Sequence, residues 1–506
     1  MSESFVFKQL KTLKTNKAIG LDKISSRLLK DSAESIAPVL TRLFNRSLDS
    51  SVFPAIWKQG KVTALFKSGD KSDCNNYRPI TVLPTVSKIL ERAVHQQLYG
   101  YLTESNLLTT KQFGFRPKLS TEVALAHFTD RVLEKLDNGM LTGAVFLDLS
   151  KAFDTVDHSL LLTKLKQIGA SDNVTGWFRS YLSNRFQLTA VGDVQSTLRP
   201  IQVGVPQGSI LGPLLFLVYI NDLPERLEHC EVALYADDTV IYFSSSCVTE
   251  IEIFINRDLS KLSSWFSTNR LTLNVSKSKF ILIGSPKKLS TCNDVNVVID
   301  DSPLECTDTF KYLGVTINKT MTWGDHVEAI STKINQRLGL LKRISYLLPL
   351  ETRITLYNSL VRPLFDYGDT IWGDKGNATL MNELQLLQNK AAKIILSLPS
   401  FYSSTEALKE LCWPTLFKLR LFHRCVFVYK YVNGIIDFKF DTKLISDIHS
   451  YNTRGKSNFY LPRVRRNYGK QRLLYQGLGE WNSLDKSIRD MRSLLIFKQA
   501  LKTAIF

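Results

Sequence analysis

Apolar residues recur at three- and four-residue spacing through residues 24–60, at Ile24, Leu28, Leu29, Ile36, Val39, Leu40, Leu43 and Phe44, and predict helices there. Residues 61–66 then read as a short strand, followed by a polar turn from Lys67 to Asp73. An amphipathic helix is expected over 85–104, with Ile89, Leu90, Ala93, Val94 and Leu98 facing inward. Ser120 and Thr121 offer caps for a helix reaching about 137. Strand 143–149 and helices 158–168 and 174–184 come next. Gly192-Asp193 suits a hairpin turn between strands 186–191 and 197–203. A glycine-bearing loop, 204–212, opens a helix over 213–220. Strand–turn–strand 231–243, helix 250–269, and strands near 271–274, 279–283 and 296–299 lead to 310–316. From about 325 the period is helical almost throughout.

Two of these β segments carry acids. Val145-Phe146-Leu147-Asp148-Leu149 and, about ninety residues on, Leu234-Tyr235-Ala236-Asp237-Asp238-Thr239 each set Asp against strong β formers. A single Asp at a strand end is usually a turn former. Two carboxylates projecting from neighbouring strands repel unless divalent cations neutralise them, so Asp148 and Asp237 are read as ligands for two Mg²⁺ ions, or Mn²⁺. Asp238 is expected on the opposite face of its strand, tuning the site or closing the turn. The backbone carbonyl of Leu149 is a further candidate oxygen ligand.

Other residues gain meaning from those acids. Phe153, five positions after Asp148, is placed to lie beneath an incoming sugar and clash with a 2′-hydroxyl; a core phenylalanine is the plainer reading. Gln207 and Gly208, within Gly204-Val205-Pro206-Gln207-Gly208-Ser209, combine a base- or sugar-reading amide with close backbone approach. Arg78 and Arg116, each bracketed by aromatic residues and proline, suit rigid contact with a triphosphate. Lys277 is a candidate acid for the leaving pyrophosphate. Each of these three is, taken singly, as well read as a surface cation.

Composition narrows the partner. Lys and Arg total 65 against 47 Asp and Glu, a net charge of +18, which points to a polyanion such as nucleic acid. Residues 448–479 contain no acid and alternate Arg454, Arg463, Arg465, Arg466 and Lys470 with Tyr and Phe, a pattern suited to holding RNA. The seven cysteines form no CxxC pair and no histidine lies at zinc-ligand spacing, which argues against a zinc knuckle or disulfide framework; reduced, scattered cysteines suit an intracellular protein, expected in the nucleus or a cytoplasmic ribonucleoprotein and not secreted. The longest apolar run, Ile210 to Ile220, is too short to span a bilayer, so no membrane partner is expected.

The order Asn76-Tyr77-Arg78-Pro79-Ile80, Gln112-Phe113-Gly114-Phe115-Arg116-Pro117, Phe146 to Asp154, Gly204 to Ser209, Tyr235 to Asp238, Leu273 to Lys277 and Tyr312-Leu313-Gly314-Val315 resembles the motif series of reverse transcriptases. It is most similar to LINE-type, non-LTR, jockey-like retrotransposon enzymes. Asn16 to Asp22 resembles their extra N-terminal motif, and Gln388 to Ile395, Trp481 to Leu484 and Phe497-Lys498 resemble their C-terminal segments. The resemblance implies an α+β, right-hand polymerase: an N-terminal helical extension (1–60), fingers and a palm with an antiparallel sheet (61–317), a helical thumb (318–400) and a mainly helical basic region (401–506). It implies Asp148, Asp237 and Asp238 as the catalytic triad, Phe153 as sugar gate, Lys277 as acid, and Tyr312, Leu313 and Gly314 as primer grip. RNA template, DNA primer and deoxynucleoside triphosphates are the implied partners. The endonuclease domain of such elements is absent from this sequence, which suggests a truncated copy. Rival expectations are a group II intron-type enzyme with maturase activity, a viral RNA polymerase (disfavoured by Phe153 and Ala236), and a remnant that only binds nucleic acid.

Overall fold

In the computed structural model, which describes residues 1–438, 442–448 and 455–506, two sheets are built from β1 (Gln59–Phe66), β2 (Tyr77–Val82), β3 (Leu141–Leu147), β4 (Arg185–Val191), β5 (Val194–Gln195), β6 (Arg199–Ile201), β7 (Glu231–Tyr235), β8 (Asp238–Ser245) and β9 (Lys279–Ile283). One sheet runs β2-β1-β4-β5 with β6 also on β4, and the other runs 305–306, β9, β3, β8, β7. The second is antiparallel apart from the short 305–306 strand, which lies parallel to β9. The chain is α+β, as the resemblance implies.

β3 explains the arrangement. All seven of its residues are buried, so both faces of the strand are covered. Leu141, Val145 and Leu147 join one apolar cluster with helices Thr85–Glu104, Leu211–Tyr219 and Val248–Thr268. Ala144 and Phe146 point the other way, into a cluster with helices Thr121–Asp137 and Gly324–Ile344. That second cluster continues without a break into Leu416, Leu419, Phe427 and Leu473, across the boundary expected near residue 400.

Local signals predicted most elements within a few residues. The helix expected over 85–104 is Thr85–Glu104 with Ile89, Leu90, Ala93, Val94 and Leu98 buried, and Ser120 caps the next helix by accepting from the Val123 amide. Gly192-Asp193 closes the β4–β5 hairpin. Two expectations fail. Residues 271–274 make only one bridge, Leu149 with Leu273, because they wrap the loop that follows β3 instead of joining a ladder. Of the apolar set at 24–60, Leu28, Val39 and Leu43 are exposed while Leu29 and Phe44 are buried, and β1 begins at Gln59. Among the described residues no helix is long and apolar enough to cross a membrane.

Candidate active site

β3 ends at Leu147, so Asp148 is the first residue past the sheet edge. Two backbone bonds hold it there. The Asn274 amide donates to the Asp148 carbonyl (2.8 Å), and the Ser150 amide donates to Thr272 (2.9 Å). The Asp148 amide donates to the buried Ser278 hydroxyl (3.1 Å). Leu149 and Leu273 thus occupy the non-hydrogen-bonded position of their bridge, which leaves the Leu149 carbonyl unused by it. The same wrap carries Lys277, exposed, alongside Asp148.

Asp237 lies in the two-residue turn joining β7 to β8, where Tyr235 pairs with Asp238. Ala236 takes a left-handed φ of 56°, and an outside strap stabilises this conformation. The Phe113 amide donates to Leu234 (2.7 Å), and Gln112 Oε1 accepts from the Ala236 amide (2.9 Å) and the Gly114 amide (2.7 Å). A Cβ at Gly114 would lie 2.4 Å from the Ala236 nitrogen, so only glycine lets the strap reach the turn. Gly114→Ala is therefore expected to destabilise the protein by about 1–3 kcal/mol. Denaturant unfolding checks this; an unchanged midpoint would mean the strap yields freely.

The three acids interact. Burial, with repulsion from Asp148, raises the Asp237 carboxyl above its usual range; partial desolvation with repulsion from Asp237 and Asp148 pushes Asp238 up to about 6. Asp237 occupies the turn and Asp238 opens β8, so the two acids are not successive residues of one strand, as the alternation argument assumed. Among the described residues none of the three has an ion-pair partner. Their oxygens do not all approach within 4.8 Å of one another. Unneutralised carboxylates with an unused carbonyl are a hard oxygen donor set, and they fit divalent cations. The one described group of three ligand-type residues whose donor atoms do converge to that distance is Asp366, Asp369 and His423, on the helical part of the chain. There Arg362 Nε meets Asp366 at 3.0 Å and His423 Nδ1 meets Asp369 at 2.7 Å, so its charge is already compensated.

Cations face the acids from the other sheet. Arg78 on β2 and Lys67 just after β1 are exposed, and both lower the Asp237 and Asp238 carboxyls through space. Lys67 read in the sequence as part of a polar turn; nothing local distinguishes it. Arg116 departs from expectation. Its Nη1 donates to the Thr109 carbonyl (2.7 Å) and its Nη2 lies 3.9 Å from Asp437, with the side chain 12% exposed, so it braces its own loop and presents no open fork to a triphosphate.

Phe153 is half-buried, stacked on Phe216 (centroids 4.5 Å apart) with the exposed Phe115 edge-on at 5.9 Å. The Gly204–Gly208 loop lies behind it: the Val205 amide donates to the Phe153 carbonyl (2.8 Å), and the Gln207 carbonyl accepts from Thr81 (2.7 Å). Gly208 has φ +128°, and a Cβ there would lie 2.2 Å from the Thr81 oxygen. The Gln207 amide is engaged by Asp154, which the sequence did not single out.

Tyr312 is buried among Phe128 and Phe146, with its hydroxyl unpartnered. It was expected in the primer grip, but its ring is core; only the Leu313-Gly314 turn reaches the surface, with φ of 45° and 87° and the Leu313 carbonyl accepting from Tyr367 (2.7 Å). Burial, with Asp238 as second cause, raises the Tyr312 phenol, which sets the hairpin beside the acids.

The basic stretch is clasped by acids distant in sequence. Asp137 accepts the amides of Arg465 (2.9 Å), Arg466 (2.6 Å) and Gly469 (3.2 Å), and Asp130 accepts those of Leu473 and Leu474. Arg463, Arg465, Arg466 and Lys470 remain exposed, and Arg466 also lies against Gly139 and donates toward the Leu136 carbonyl. Arg454 lies outside the described residues.

Comparison with known proteins agrees with this geometry. Residues 67–317 match the family model described as reverse transcriptase (RNA-dependent DNA polymerase). The chain is 31% identical over 426 residues to the probable RNA-directed DNA polymerase from transposon BS of Drosophila melanogaster, covering 80% of this chain and 46% of the relative. It is 29% identical over 411 residues to the probable polymerase from transposon X-element (79% and 44%) and 28% identical over 418 residues to the RNA-directed DNA polymerase from mobile element jockey (80% and 45%), both also of Drosophila melanogaster. The chain spans just under half the length of these curated relatives. Residues 67–317 thus form a reverse transcriptase domain, in a chain that is similar over about four-fifths of its length to these non-LTR element polymerases.

Proposed function

We propose that this chain is an RNA-directed DNA polymerase of a non-LTR retrotransposon, copying an RNA template into DNA from a primer 3′-hydroxyl. The observation that carries the reading is the Asp148, Asp237 and Asp238 cluster, three mutually repelling carboxylates at one sheet edge with no cation among the described residues paired to them. Reverse transcriptases use divalent metal ions. Asp148, Asp237, Asp238 and the Leu149 carbonyl would hold two Mg²⁺ ions, which when bound polarise phosphoryl oxygens and favour the ionised hydroxyl.

On this reading the β3-centred sheet is the palm and the β1–β2–β4 sheet the fingers. Residues 1–60 are an N-terminal extension, 61–317 fingers and palm, 318–400 a thumb, and 401–506 a basic C-terminal region. Arg78 and Lys67 hold the triphosphate over the acids. The primer 3′-hydroxyl gives its proton to solvent and its oxygen bonds to the α-phosphorus, the bond from that phosphorus to the bridging oxygen breaks, and pyrophosphate leaves with a proton from Lys277. Gln207 and Gly208 seat the nucleotide and template, and Leu313-Gly314 supports the primer strand. Primer extension on an RNA template, with deoxynucleotides and ribonucleotides supplied separately, tests the reading. Extension with deoxynucleotides alone is expected; none with either series overturns it.

RNA binding is assigned to the clasped basic stretch. Replacing Arg463, Arg465 and Lys470 with Ala is expected to flatten the salt dependence of RNA affinity by about 0.7 log units per log salt for each lost contact. The rate per bound complex should hold. An unchanged slope would remove this stretch from the RNA surface.

A further inference from the structure

Asp154 and Gln207 are 53 residues apart and meet with both carboxylate oxygens on one amide nitrogen, at 3.0 and 2.9 Å. An ionised carboxylate only accepts hydrogen bonds, so it dictates which end of the amide faces it: the –NH₂ end turns to Asp154, and Oε1 turns away. Oε1 accepts no hydrogen bond from the described residues, and Gln207 is only half-buried. The backbone around the pair is fixed on both sides. The Val205 amide donates to the Phe153 carbonyl, Gly204 closes on the Asp154 backbone where a Cβ would meet it at 2.6 Å, and the Gln207 carbonyl accepts from Thr81. The main chain of both partners is thus held, and the two contacts on the carboxylate hold the amide.

We propose that Asp154 is a positioning residue that locks the Gln207 amide with Oε1 outward, making this loop an obligate hydrogen-bond acceptor for a sugar hydroxyl of the nucleic acid or nucleotide beside Phe153. This rests on the polymerase reading. Without the lock, the amide can turn its –NH₂ end outward, and the acceptor is lost wherever it does so. With it, a substrate unit lacking the hydroxyl leaves an acceptor without a donor and binds more weakly. Two sources supply such a hydroxyl: the 3′-hydroxyl of the incoming nucleotide and the 2′-hydroxyl of the template.

The test uses the full chain in primer extension, comparing the unsubstituted protein with Asp154→Asn, Gln207→Leu and the double substitution. Asn keeps the volume but offers both a donor and an acceptor, so the amide can turn over. Discrimination between a deoxynucleotide and its 2′,3′-dideoxy analogue reads the first source; discrimination between an RNA template and a DNA template of the same sequence reads the second. In one of the two arms Asp154→Asn is expected to reduce discrimination by about three- to tenfold, the worth of one neutral hydrogen bond. The change should fall on KM and leave kcat near its original value. In the Gln207→Leu background, Asp154→Asn should then be silent, because its effect passes through the amide. Discrimination unchanged in both arms overturns the proposal, as does an undiminished effect of Asp154→Asn beside Gln207→Leu, which marks a merely structural role. Should Asp154→Asn fail to fold, Asp154→Ser takes its place with the same expectations, and discrimination retained in both arms by Gln207→Leu refutes the acceptor by itself. No extension by the unsubstituted chain overturns the polymerase reading and this inference with it, whereas extension with unaltered discrimination overturns this inference alone.

Discussion

Asp237→Asn is expected to lower deoxynucleotide incorporation by about a thousandfold or more while leaving the fold and RNA affinity in place. The substitution keeps the side-chain volume and removes one negative charge from a site that the reading above assigns to two divalent ions, so it weakens electrostatic stabilisation of the reacting phosphoryl group at its source. The fold should tolerate it. Asp237 lies in a turn held by main-chain bonds from the Gln112–Gly114 strap, its carboxyl raised by burial and by repulsion from Asp148. Removing that repulsion costs the folded state nothing, so the melting temperature should stay level or rise slightly. Single-turnover extension beside a thermal melt checks both halves. Undiminished incorporation would remove Asp237 from the metal site, and a collapsed melt would make it a structural residue.

The second large effect concerns the sugar. Phe153→Val is expected to raise ribonucleotide incorporation by about tenfold or more, on the scale of pocket discrimination by a few carbons. Phe153 is held on Phe216 and edged by Phe115, so the ring is rigid enough to act by shape. Those same contacts make it partly a core residue, and the substitution will also lose packing with Phe216. Ribonucleotide use that stays flat while deoxynucleotide use persists would mean that the ring only fills space. A fall in both would mean that lost packing dominates.

How far the chain could be read depended on the range of the interactions. Asp148 and Asp237 were legible because each acid stands against its own strand formers, and the strand pairing of Phe146 with Val240 and Leu147 with Thr239 then brings the two ends together. Helix Thr85–Glu104 was legible because its apolar spacing belongs to one element. Contacts between distant segments were not. Asp154 meets Gln207 only once the 204–208 loop has folded behind Phe153. Arg116 looks free until Asp437 and the Thr109 carbonyl take it up. The run without acids at 448–479 looked uncompensated because its acids, Asp130 and Asp137, come from a helix more than three hundred residues earlier. Tyr312 carries a family motif, yet its ring is consumed by the core and only the turn after it is exposed. Lys67 is distinguished solely by where β1 ends, opposite the acids.

The central claim is that the three acids at the β3 and β7–β8 edge, holding divalent ions, join deoxynucleotides to a DNA primer under the direction of RNA. The most direct measurement is single-nucleotide addition to a primer annealed to an RNA template, with each of the four deoxynucleotides offered in turn, before and after chelation and with Mg²⁺ restored. The account predicts addition of the complementary nucleotide only, lost on chelation and recovered with Mg²⁺. Addition that ignores the template base, or that survives chelation, would contradict it.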